Sequence, residues 1–183
     1  MPRTPATNGT PPALGDHAAL ERTSLRTPIG ELTLIASGRG LRAVLWPGEL
    51  PVGGDIKSST RAGRAAAILE EAVLQLEEYF AGRRQDFDLP LDPVGTEFQQ
   101  AAWNELRKIP FGETISYGEQ ARRLGDANKS RAVGAANGRN PISIIVPCHR
   151  VVGSTGKLVG FAAGVDVKEW LLQHERGGQL TLA

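Results

Sequence analysis

Residues 116–139 read SYGEQARRLGDANKSRAVGAANGR, and this stretch decides the fold. Ser116 followed three places later by Glu119 has the spacing of a capping box, so a short helix is expected to run from there to Leu124. Gly125-Asp126 then forces a turn. The next helix, about Asn128 to Gly138, is made of small residues (Ala132, Gly134, Ala135, Ala136), which let a backbone approach a neighbour closely. Helix, tight turn and small-residue helix together describe a helix-turn-helix; an ordinary helical hairpin is the plain alternative. Charge favours the first. Between Tyr117 and Lys157 stand seven basic residues (Arg122, Arg123, Lys129, Arg131, Arg139, Arg150, Lys157) against two acids, Glu119 and Asp126, on a chain whose formal charge is only +1. A phosphate-facing surface needs such a local excess, because each cation near a phosphate releases counterions.

Upstream, Phe98 to Ile109 reads as a helix stopped by Pro110. The run Leu89-Pro90-Leu91-Asp92-Pro93 reads as an extended link, which places a boundary near residue 94. Before it, Leu69, Val73, Leu76 and Phe80 recur at helical spacing within Arg61 to Phe80, with Gly82 ending the helix. Ile29, Leu32, Leu34 and Ile35, then Leu41, Val44, Leu45 and Trp46, read as short strands joined by the turn Ser37-Gly38-Arg39-Gly40. Residues 1–21, with Pro2, Pro5, Pro11 and Pro12, hold too little periodic apolar content to offset their ordering entropy. The expected organisation is a disordered tail over 1–21, an α/β unit over 22–93, a helical unit over 94–176 and a flexible tail over 177–183. The pattern describes a two-domain chain of the α+β / α/β class, in which composition alone makes the first unit only a small α+β domain.

The near-neutral charge excludes a wholly basic, DNA-coating protein. A single cysteine in 183 residues excludes an internal disulfide and a multi-thiolate zinc site, and fits a reducing compartment. No run of eighteen apolar residues and no secretory core is present, so a cytoplasmic protein without a membrane partner is expected.

Downstream of the helices, Asn140-Pro141 breaks the backbone, and Ile142 to Val146 reads as an apolar strand that delivers Pro147-Cys148-His149-Arg150-Val151-Val152. A lone cysteine is usually a small buried hydrophobe. As a nucleophile it needs help, because a free thiol with a pKa of about 8.5 is only slightly ionised at neutral pH. His149 and Arg150 are placed to supply a base and a positive field.

The segment Pro147 to Val151, preceded by Arg131-Ala132-Val133-Gly134 and Asn140-Pro141, resembles the O6-alkylguanine-DNA alkyltransferase family. The similarity runs from about Thr96 to Glu175 and takes in Phe98-Gln99, Trp103, Gly112-Glu113, Ser116-Tyr117 and Lys168-Glu169-Trp170-Leu171-Leu172 in the family's order. It implies a ribonuclease-H-like first domain and a helical, winged-helix-like second domain carrying the helix-turn-helix. It implies that Cys148 takes the alkyl group from O6-alkylguanine, and also from O4-alkylthymine, in a single irreversible event. His149 would accept the thiol proton through a water, and Glu175 in the last helix would orient His149. Tyr117 would donate to the departing base, and Asn140 would be a hinge between the recognition helix and the cysteine segment. Arg131 would enter the base stack as the nucleotide flips out, while Ala132, Gly134 and Ala135 let the helix into the minor groove. The carbonyls of Cys148 and Val151 would accept from the guanine amine, under a loop of Phe161-Ala162-Ala163-Gly164.

The resemblance implies no cofactor, since the lesion is the alkyl donor and sulfur the acceptor. The expected partner is double-stranded DNA carrying O6-alkylguanine, met by a monomer, with cooperative binding along DNA left open. Two departures stand out. Better-known members often carry Tyr-Ser-Gly-Gly where this chain has Phe161-Ala162-Ala163-Gly164, so a hydroxyl near the guanine oxygen is missing. Some members bind zinc through first-domain cysteines that this chain lacks, so no metal is expected. Three other readings fit less well: a lesion-binding relative without the cysteine, a turnover hydrolase using Cys148, His149 and Glu175, and a transcription regulator with an incidental thiol. Cys148 itself counts against the first, the basic helix-turn-helix against the second, and the Pro-Cys-His-Arg segment against the third.

Overall fold

Strand alternation and one helical face build the first half of the chain. The structure is a computed structural model that describes residues 19–51, 56–59 and 62–177. The expected tails lie outside the described residues up to 18 and from 178 on. Leu20 and Glu21, expected in the first tail, are instead part of the first strand, where Glu21 pairs with Ala36 of the second. Strand β1 (Leu20–Thr27) turns into β2 (Gly30–Ala36) at a hairpin where the Thr27 hydroxyl donates to the Gly30 carbonyl at 2.6 Å. Gly30 holds φ at +112°, a backbone region open mainly to glycine. Ile29 therefore sits in the turn, not in the strand as its apolar neighbours suggest. Strands β3 (Leu41–Leu45) and β4 (Ile56–Ser58) complete a sheet of order β3-β2-β1-β4, antiparallel except for β1 with β4.

Helix α1 (Arg64–Phe80) packs across this sheet. Leu69 and Leu76 are buried as their spacing predicts, but Val73 and Phe80 flank the contact, whose centre is Ile68, Ala72 and Tyr79. The face is rotated because the small Ala72, invisible to a count of large apolar residues, meets the sheet. Each large side chain fully buried here contributes about 1.5–3 kcal/mol.

In the second half, α2 (Glu97–Leu106) opens with a reciprocal capping box between Thr96 and Gln99. A two-residue strand β5 (Ile115–Ser116) leads into α3 (Tyr117–Arg123). Ser116 caps α3 by accepting from the Glu119 amide at 3.0 Å. The expected box is half formed there, because the Glu119 carboxylate is taken by Arg122 and Arg123. After Gly125 a 3-10 turn (Ala127–Lys129) precedes α4 (Ser130–Gly138). The Trp103 indole donates to the Ala136 carbonyl at 2.9 Å, and the buried amides of Gln120 and Asn137 exchange two bonds, which locks α2, α3 and α4 together.

Residues 142–146 do not form the expected strand. Asn140 accepts from the Ile142 amide at 3.0 Å and donates to the Val146 carbonyl at 2.7 Å, occupying groups that a partner strand would use. Ile144 turns the chain with φ at +76°, unusual for a β-branched residue. A 3-10 turn (Cys148–Arg150) and strand β6 (Val151–Val152), parallel to β5, follow; α5 (Val165–Glu175) closes the fold. One apolar cluster joins both halves, with Leu34, Leu76 and Tyr79 from the first and Ile109, Ile144 and Leu171 from the second.

Candidate active site

Cys148 begins its 3-10 turn with its amide donating to the Val146 carbonyl at 2.9 Å, so the Asn140-tied loop fixes where the sulfur points. The sulfur sits at a cavity of about 420 Å³, whose lining includes Tyr117, Gly134, Asn140, Ser143, Phe161 and Ala162. Burial pushes the Cys148 thiol up, while side-chain hydrogen bonds from Asn140 and Ser143 and the charge of Lys168 pull the other way. At rest the group is a thiol that needs a base, not a standing thiolate.

His149 is fully buried, and its Nε2 lies 2.7 Å from Oε1 of Glu175. Burial lowers the His149 pKa against the opposing pull of Glu175, and Glu175 is held far below the usual carboxylate range by His149 and Arg150 despite its own burial. A neutral imidazole beside a carboxylate donates from Nε2, which leaves Nδ1 as the acceptor. Among the described residues that Nδ1 has no hydrogen-bond partner.

Arg150 does something other than expected. It is buried, and its guanidinium forks onto Glu175 with Nε at 2.9 Å and Nη2 at 3.0 Å, while Nη1 donates to the Ile109 carbonyl at 2.6 Å. It therefore neither faces phosphate nor supplies the field at the sulfur. Lys168 takes the second role: fully buried on α5, its ammonium donates to the carbonyls of Val151 at 2.6 Å and Val159 at 3.1 Å and lies 5.7 Å from the Tyr117 ring centroid. The Tyr117 hydroxyl donates to the Val159 carbonyl at 3.0 Å, and burial together with Cys148 raises its pKa.

The remaining expected residues divide cleanly. Gly134 lines the cavity against Tyr117, whereas Arg131, Ala132 and Ala135 lie on the exposed side of α4. Phe161 and Ala162 line the cavity, while Val151 and Ala163 do not. The Val151 carbonyl is engaged by Lys168. Among the described residues no cluster of His, Cys, Asp and Glu is placed to hold a metal.

Residues 97–177 match a family model described as the DNA binding domain of 6-O-methylguanine DNA methyltransferase, and residues 20–93 match the model of its ribonuclease-like domain. A methylated-DNA–protein-cysteine methyltransferase of Methanosarcina barkeri is 44% identical over 157 residues, covering 82% of this chain and 94% of that relative. The chain belongs to the 6-O-methylguanine DNA methyltransferase family. A family member of the same name from Mycobacterium leprae is 44% identical over 160 residues, 86% of this chain and 93% of its own. The crystal structure of Mycobacterium tuberculosis OGT in complex with DNA matches with a TM-score of 0.78 at 42% identity, covering 86% of this chain and 93% of that one. The expected fold class, a ribonuclease-like sheet domain followed by a helical DNA-binding domain, is thus the family's own.

Sequence reading missed three contributors to this methyltransferase site. Ser143 was hidden inside an apolar run that looked like a strand. Lys168 was quoted only as part of a motif, although a lysine three places before a buried leucine on an amphipathic helix is a signal worth weighing. Tyr79, whose hydroxyl reaches Glu175 at 2.8 Å, sits one place from the Phe80 that the periodicity favoured.

Proposed function

We propose that Cys148 is the alkyl acceptor of this methyltransferase, with His149 as its base, Glu175 as the orienter and Tyr117 as a donor to the leaving guanine. The protein repairs DNA by direct alkyl transfer from the damaged base to its own cysteine. The observation that carries the residue assignment is the thiol at the cavity wall, followed in sequence by a buried His149 whose Nε2 is bound to Glu175 and whose Nδ1 is left as an acceptor.

The thiol proton passes to His149 as the sulfur attacks the alkyl carbon of O6-alkylguanine from the side opposite O6. The S–C bond forms, the C–O6 bond breaks, and its electron pair leaves with the guanine. Tyr117, kept protonated by its raised pKa, donates to that growing negative charge. A thioether does not hydrolyse readily, so each chain acts once. A stacked base cannot reach a wall cysteine, so the nucleotide is everted into the cavity at a cost of a few kcal/mol. The exposed side of α4 meets the minor groove, with Ala132 and Ala135 allowing close approach and Arg131 filling the vacated stack. Asn140 ties that helix to the cysteine loop through its bonds to Ile142 and Val146.

Intact-protein mass after incubation with excess O6-methylguanine duplex tests the reading. Wild type gains a single methyl group, mapped to the peptide holding Cys148, while Cys148→Ser binds the duplex and gains none. Methyl found on any other residue, or many lesions repaired per chain, would refute it.

A further inference from the structure

Glu175 does not serve His149 alone. Its carboxylate also accepts from Arg150, from the Gly112 amide at 3.2 Å, and from the hydroxyl of Tyr79 at 2.8 Å. Tyr79 is the outlier of this set, because it comes from α1 in the ribonuclease-like domain, 96 residues away in sequence. It is completely buried, and its ring is fixed by edge-on contacts with Phe80 at 5.3 Å and Phe111 at 6.2 Å and by His174 at 5.1 Å. His174 in turn bonds the Tyr79 carbonyl at 2.7 Å. A buried phenol needs a hydrogen-bond partner for its hydroxyl as well as packing for its ring, and the partner taken here is the carboxylate oxygen that His149 shares.

We infer that Tyr79 is a positioning residue for alkyl transfer, through which the first domain sets the hydrogen-bonding capacity of Glu175 and hence the basicity of His149. The inference rests on the reading of His149 as the base for Cys148. Oε1 divides its electron density between His149 Nε2, Arg150 Nη2 and the Tyr79 hydroxyl. With the phenol removed, more of that density falls on His149, which then holds a proton more tightly and stays already protonated, unable to take one from the thiol, up to a higher pH. The other charged group near His149 is Lys168, which opposes its protonation from α5. Burial and the Glu175 charge raise the Tyr79 pKa well above 10.0, so the phenol stays a donor over the working range. On the other side Gly112, at φ +79°, approaches the Glu175 main chain closely enough that a Cβ there would lie 3.1 Å from the Glu175 backbone oxygen.

The test is single-turnover alkylation of the full chain by O6-methylguanine duplex, measured across pH. Tyr79→Phe is expected to move the acid limb of the profile to higher pH and to slow transfer several-fold along that limb, with duplex affinity unchanged. In a Glu175→Gln background the same substitution is expected to change the rate little, since its route is gone. A wild-type pH profile in Tyr79→Phe, or equal effects in both backgrounds, would overturn the inference and reduce Tyr79 to packing, whatever happens to melting temperature. If Phe at 79 prevents folding, 3-fluorotyrosine incorporated there, a stronger donor of nearly the same shape, should move the limb to lower pH, and no movement counts against the idea. Labelling of Cys148 in wild type is scored separately, so loss of the underlying reading would show as absent methyl, not as an unshifted profile.

Discussion

At the scale of single residues, Glu175 concentrates the risk in this protein, because its buried anion is matched to a buried Arg150 cation. Taking one partner from such a pair leaves the other desolvated and uncompensated, at a cost of about 3–5 kcal/mol. Glu175→Gln should lower unfolding stability by that amount in denaturant titrations; a loss below about 1 kcal/mol would mean that Arg150 finds other partners. The pH dependence has a definite sign. A carboxyl whose folded pKa is depressed adds stability that is complete above the unfolded value of about 4.3 and is lost as pH falls toward the folded one. Wild type should therefore weaken progressively below about pH 4.3, and Glu175→Gln should show a flatter acid limb. Cys148-His149 stands out in the sequence as a lone thiol beside a histidine, whereas Glu175 is reached only through the resemblance to the family. Tyr79 is not legible, since nothing in a local window distinguishes a phenol aimed at a carboxylate 96 residues away from one that merely packs.

Among the elements, α4 carries the proposed DNA contact and the loop after it carries Cys148. Arg131 sits on the exposed side of α4 and touches no part of the cavity. Arg131→Ala should slow repair in duplex DNA at least about tenfold, in line with losing a group that offsets an unstacking cost of a few kcal/mol. Transfer from free O6-benzylguanine should be nearly unaffected; equal losses in the two assays would remove Arg131 from the stack. The helices were readable from spacing and capping chemistry. The loop was not, because Ile142 to Val146 has the composition of a strand, and only the Asn140 amide, by taking Ile142 N–H and Val146 C=O, turns that run into a tight bend. β1 escaped notice for another reason: its burial is irregular, so alternation is faint.

For the molecule as a whole, the charge count near α4 shrinks once partners are assigned. Arg150 belongs to Glu175, and Arg122 and Arg123 to Glu119, which leaves Lys129, Arg131, Arg139 and Lys157 exposed and, among the described residues, without an ion pair. These four are the cations near α4 that can meet phosphate without giving up a carboxylate. A plot of log affinity for duplex against log salt should thus have a slope no steeper than about −4, taking roughly −0.9 per phosphate contact. A much steeper slope would require a second basic surface.

The flank of β3 has one more bearing. Leu41 pairs with Leu91 and Val44 with Ile142, so the link between the domains and the cysteine loop both lie along the outer side of that strand. At the other end of the sheet, the described part of β4 is three residues, with Lys57 exposed. A sheet finished in this way gives a second molecule little to zip onto. For a reagent held in reserve until damage arrives and then used a single time, that is a matter of shelf life.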